Sequence, residues 1–93
     1  MARKVTLDPA TLTLRQFMVL FPKPPMYRPQ DLVERSGLAQ PRVSELLRGV
    51  RIYPAGIAQA RAALGLEGAE HDRLFEALLG NSARAAAAGR AEG

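Results

Sequence analysis

The chain has no cysteine, a single histidine and no long apolar run, and each shortage removes a class of protein. Without cysteine there is neither a disulfide staple nor a thiolate metal site. His71 stands between Glu70 and Asp72 with no second ligand at metal-binding spacing, so it reads as a surface residue and no metal site is expected. The longest run of large apolar residues, Phe17 to Phe21, is far too short to span a bilayer. Arg3 and Lys4 come early, but Asp8 and Arg15 interrupt the stretch after them, so no signal peptide is expected. A reducing cytoplasm is the expected compartment. β-Branched residues are scarce as well: Val, Ile and Thr together number 10, against 16 Ala and 13 Leu. That imbalance favours helices over a sheet. With 93 residues there is room for one core, and 47% hydrophobic and 24% charged residues suit a globular domain.

Charge is divided unevenly along the chain. Residues 1–53 hold nine Lys/Arg and four Asp/Glu, a net of +5, whereas residues 54–93 hold four and five, a net of −1. Eleven of the 13 basic residues are Arg, the side chain best shaped for phosphates and guanine edges. The same Arg-over-Lys, Ala-rich bias also arises from GC-rich coding sequence. Charge alone therefore leaves nucleic-acid binding and coding bias level.

Proline and glycine set the punctuation. Residues 1–11 carry Pro9 and lack helical periodicity, so they read as an N-terminal arm. Thr13-Leu14-Arg15-Gln16 fits a capping box, and Leu14, Phe17, Met18 and Phe21 recur at helical spacing behind it. Pro22, Pro24 and Pro25 end this first helix. A second is expected from Pro29 to about Arg35, with Asp31 in its first turn, and Ser36-Gly37 marks a turn. A third runs from about Gln40 to Arg48 before Gly49, and a fourth from Pro54 to Leu64 before Gly65. A fifth covers Gly68 to Leu79 and is stopped by Gly80. The domain is therefore expected at residues 12–79. The remaining residues 80–93, Ala-rich with nothing large to bury, are expected to form a flexible tail.

Residues 29–48 carry the most specific signal. Two short helices meeting steeply need a tight turn, and Gly37 takes positive φ there at no steric cost. Leu32 and Leu38 would face the corner, and Val43, Leu46 and Leu47 the inner side of the second helix. Pro41, Glu45 and Arg48 then point outward, flanked by Arg42 and Ser44, with Gln40 projecting from the N-terminus. Gln, Arg, Ser and Glu are residue types that read base edges. Arg28, Arg51 and Tyr53 flank this helix and, with Arg48, are candidates for phosphate contact. For Arg28 a solvated loop is the competing reading, and Tyr53 can equally pack on the fourth helix.

Through Leu32, Gly37, Leu38, Gln40, Val43, Ser44, Leu46, Arg48 and Gly49 the chain resembles the helix-turn-helix family of the phage lambda repressor and Cro proteins, the Xre-like regulators. The resemblance covers about residues 12–79 and implies an all-α, five-helix, lambda-repressor-like DNA-binding domain. It also implies that Gln40 contacts bases or phosphate at the start of the recognition helix and that Pro41, Ser44 and Glu45 face the major groove; Arg42, flanking them, completes the base-reading candidates. Val33 departs from the small residue usual at the helix crossing, Ser36 from a usual apolar one, and Pro41 offers only apolar contact.

No catalytic constellation is present. Ser44 lacks a histidine partner near it in sequence, and no glycine pair leads into a Gly-Lys-Ser/Thr phosphate loop. No enzyme activity and no cofactor are expected. The reading is a sequence-specific transcriptional regulator, a repressor acting as a nucleoid-associated homodimer on a pseudo-palindromic operator in double-stranded DNA. Leu74, Phe75, Leu78 and Leu79 form an apolar stripe in a small domain and are the expected dimer interface. Two alternatives stay open: a protein-interaction module, such as an antitoxin or phage-encoded adaptor with a toxin or polymerase as partner, and a plasmid or chromosome maintenance protein with little sequence preference.

Overall fold

Each of the first four helices begins where a cap or a proline starts it. A computed structural model describes residues 11–92, and among these there are five α-helices and no strand. The helices are α1 (Leu14–Leu20), α2 (Pro29–Ser36), α3 (Gln40–Leu47), α4 (Pro54–Leu64) and α5 (Asp72–Glu92), the last preceded by a 3-10 turn at Ala69–His71. Of the expected arm at residues 1–11, residues 1–10 lie outside the described residues.

Thr13 caps α1 as its sequence suggests. The Gln16 amide donates to Thr13 Oγ1 at 3.2 Å and the Thr13 amide donates to Gln16 Oε1 at 2.9 Å. Asp31 holds the start of α2, its Oδ2 accepting from the backbone amides of Tyr27 at 3.0 Å and Arg28 at 3.1 Å. The Arg28 amide is the main reason its carboxyl titrates below the ordinary value of 3.8, and the adjacent Arg28 charge adds to it. Proline opens α2, α3 and α4 within their first two residues, where the missing N–H costs nothing. Both α3 and α4 end in paired reverse hydrogen bonds. Gly49 and Val50 donate to Leu46 and Glu45, and Gly65 and Leu66 donate to Ala62 and Arg61.

The core gathers one side of every helix. Met18, Met26, Leu32, Val43, Leu46, Phe75 and Leu78 are sealed from solvent, with Leu14, Phe17, Leu38, Leu64, Leu66 and Leu79 around them. Here α2 packs on α3 and α4, while α5 packs on α1 and α3. Arg61 ties α4 to α5. Its guanidinium lies 5.5 Å from the Phe75 ring centre, pairs with Asp72 at 2.8 Å, and donates to the carbonyls of Leu66 and Gly68.

Two expectations are corrected. First, Gly80 does not stop the last helix, which continues to Glu92, so residues beyond Leu79 are not simply a tail. Asn81 and Ser82 are buried: the Asn81 amide donates to the Leu12 carbonyl at 2.8 Å, and Ser82 Oγ accepts the Leu14 amide at 2.9 Å. The attachment is polar, which is why no apolar pattern announced it. Second, Leu74, Phe75, Leu78 and Leu79 do not form a surface. Phe75, Leu78 and Leu79 are buried in the core and Leu74 is half-buried beside it. A helix packed against α1 and α3 spends most of its apolar stripe inside the chain, leaving little of it for a second copy.

Helical spacing of ~1.5 Å per residue makes the 21-residue α5 about 31 Å long. It is a spine that outruns the other helices. A chain of this length packed evenly has a radius of gyration near ~12 Å; the observed 13.2 Å, with a longest dimension of 42 Å, reflects that projection.

Candidate nucleic-acid interface

The corner between α2 and α3 is made by Gly37, whose φ of 77° is the left-handed conformation a side chain resists. Leu38 comes next and enters the core. Ser36, where an apolar residue would be usual, is buried and fully used: its hydroxyl donates to the Leu32 carbonyl at 2.6 Å and accepts the Leu38 amide at 3.1 Å. Its own carbonyl accepts from Gln59 Nε2 of α4 at 3.1 Å. The polar residue thus supplies hydrogen bonds to a turn that an apolar one would leave short of them.

With Val43 and Leu46 buried, α3 presents Gln40, Pro41, Ser44 and Arg48 to solvent. Arg42 and Glu45 are half-buried and paired to each other, Nε to Oε1 at 3.1 Å. The five residues expected to meet bases therefore divide. Gln40, Pro41 and Ser44 are open, while Arg42 and Glu45 neutralise one another on the flank. Among the expected phosphate contacts, Arg28 is widely exposed and lies 3.5 Å from Asp31. Arg51 is ion-paired with Glu76 of α5, Tyr53 is half exposed as the residue capping α4, and Arg48 has no carboxylate partner among the described residues. Tyr27, the most exposed of the large apolar side chains, stands beside Arg28.

Sequence reasoning missed the flank of this surface. A groove of about 500 Å³ runs between α1, α3 and α5, its lining including Arg15 of α1, Gln40, Ser44 and Arg48 at α3, and Ser82, Ala85 and Ala86 of α5. It exists because α5 passes very close to the end of α3. A Cβ on Gly49 would stand 2.2 Å from the Ala83 amide nitrogen, a separation only glycine permits. The available signal was the glycine after Arg48, which reads as a helix cap and does not disclose that another backbone lies against it.

Among the described residues no group of three His, Cys, Asp or Glu side chains comes together to hold a metal ion, and no helix is long and apolar enough to cross a membrane. No family model matches the chain, and no curated protein or solved structure matches it.

Proposed function

We propose that this chain is a helix-turn-helix DNA-binding protein of the lambda repressor and Cro type, a transcriptional regulator that represses by occupying a pseudo-palindromic operator as a homodimer. One observation carries the reading. A glycine corner sets α3 on the surface with Gln40, Pro41 and Ser44 exposed together and Arg48 without a carboxylate partner among the described residues. Phosphate contacts from Arg28 and Arg48 then fix the register, and Gln40 and Ser44 meet base edges. Arg51 has to exchange Glu76 for a phosphate if it takes part.

Two copies on one operator need their α3 helices about 34 Å apart. Because most of the α5 stripe is core, the apolar side chains remaining outside for a second copy include the adjacent pair Leu20 and Phe21, 51% and 47% exposed. A protein-interaction module is the second reading, and the same observation favours it. Phe21 stacks on Phe17 at 4.8 Å and borders a groove of about 680 Å³ lined by Leu64, Leu66 and Leu74.

Selection from a random duplex pool, then titration of winners and random duplex at several salt concentrations, separates the readings. A regulator enriches one sequence family. A maintenance protein binds all duplexes with an equally steep salt dependence. Absence of any duplex binding sinks the DNA reading and leaves the protein-interaction one. Within a binding chain, Gln40→Ala and Ser44→Ala should change the preferred sequence at a cost of about 1–3 kcal/mol each. Glu45→Ala frees Arg42 from its ion pair and should strengthen binding to random duplex.

A further inference from the structure

The middle of α5 is fixed beside α3. Asn81 and Ser82 bond to the chain entering α1, and one residue later Ala83 lies against Gly49. The groove beyond these anchors therefore has a set shape. Among the described residues its walls contain two guanidinium groups, Arg15 and Arg48, and no acidic residue. Both arginines are exposed and neither is ion-paired among the described residues. Ala85 and Ala86 leave the α5 part of the lining low, which gives room for an elongated occupant. Gln40 and Ser44 supply neutral donors and acceptors between the charges.

An anionic strand with few apolar groups fits these walls. A peptide ligand would need a deep apolar anchor pocket, and the larger apolar side chains in the lining, Pro29 and Leu47, are both already half-buried against the fold. A phosphodiester backbone needs charge and small donors, which are what the groove has. The groove also opens onto the same side of α3 as Gln40 and Ser44, so its occupant lies beside whatever those residues meet.

We propose that this groove seats one strand of the phosphodiester backbone of duplex DNA, with Arg15 and Arg48 on its phosphates, making α1 and the middle of α5 part of the interface. The inference rests on the DNA-binding reading and adds contacts outside α2 and α3.

The test uses the full chain and a fluorescent random-sequence duplex, titrated between about 50 mM and about 200 mM salt. Ala85 is exposed, so Ala85→Glu leaves the fold alone and places a carboxylate in the groove; affinity should fall at least about tenfold, as like charges set against each other demand. Arg15→Gln should lower the salt slope by about one unit without altering sequence preference. Melting temperatures of both variants should match the parent. If the parent binds duplex and either variant binds as the parent does, the inference is overturned and the DNA reading stands. If the parent binds no duplex, both fall. If the parent binds polyglutamate and not duplex, and Ala85→Glu abolishes that, the groove is a site for acidic peptides and the inference is equally overturned.

Discussion

The α2–α3 corner and the middle of α5 are both held tightly, by different forces. The corner is an apolar plug. Leu32, Leu38, Val43 and Leu46 meet at its centre, and Ser36 satisfies the backbone around the turn. Around Asn81, Ser82 and Ala83, midway along α5, the residues are small, and the helix is held by the Asn81 and Ser82 hydrogen bonds and by the contact at Gly49. A hydrophobic plug tolerates modest changes of shape, because its energy spreads over many weak contacts. A backbone-to-backbone approach tolerates none. The surface proposed to meet DNA lies between these regions, so its shape depends on both.

The largest effect should come from the core common to the two. Phe75→Ala should cost about 3–5 kcal/mol, and in a chain of this size the melting temperature should drop by tens of degrees or folding should be lost. Were Phe75 at a dimer surface, its loss would instead change the sedimentation coefficient and spare the melting temperature. A comparison of glycines sharpens the contrast. At Gly37 the nearest atom to an added Cβ is Gln59 Nε2 at 3.7 Å, so Gly37→Ala meets only the left-handed strain, about 1–2 kcal/mol. Gly49→Ala, at φ 81°, meets that strain and the α5 backbone as well, adding about 1–3 kcal/mol of overpacking. Equal melting temperatures for the two variants would show that α5 does not press on α3 as described.

Ser82→Ala should come next. It leaves the first-turn amide of Leu14 without its acceptor, a loss of about 1–3 kcal/mol for a buried group. Denaturant midpoints measure it, and the same experiment on Ala87→Ser, at an exposed position of the same helix, should show almost nothing. The smallest effect belongs to Asp31. Its pKa is depressed in the folded chain, so the stability it contributes is present above the ordinary 3.8 and is lost as pH falls through the lower folded value. Melting curves recorded from neutral pH downward should show a shallow acid loss that Asp31→Asn lacks. An identical acid limb in both would mean the cap at α2 is idle.

What could be read directly from the residues was local. The Thr13 cap, the prolines opening α2, α3 and α4, and the left-handed glycines at positions 37, 49 and 65 act within a few residues of themselves. Sequence order is therefore nearly the same as spatial order, and the first four helices begin where these signals stand. The inward positions of Leu32, Leu38, Val43 and Leu46 were legible for the same reason, since one helical period decides them.

Contacts across the chain were not legible. Leu12 and Asn81 are 69 residues apart, and nothing in either identity names the other. Apolar stripes carry the same ambiguity. Leu74, Phe75, Leu78 and Leu79 have the periodicity of a buried side whether the cover is α1 of the same chain or a second copy, and packing alone chose the former. Charge partners behave alike: Arg51 and Glu76 become a pair only when the backbone brings them together, and Arg15 and Arg48 stay unpaired among the described residues by the same placement. Local conformational preference thus determined the helices and the corner, because its range is one turn of chain. Tertiary packing decided which surfaces remain open and which charges remain unspent, because burial and Coulomb attraction act through space regardless of sequence distance.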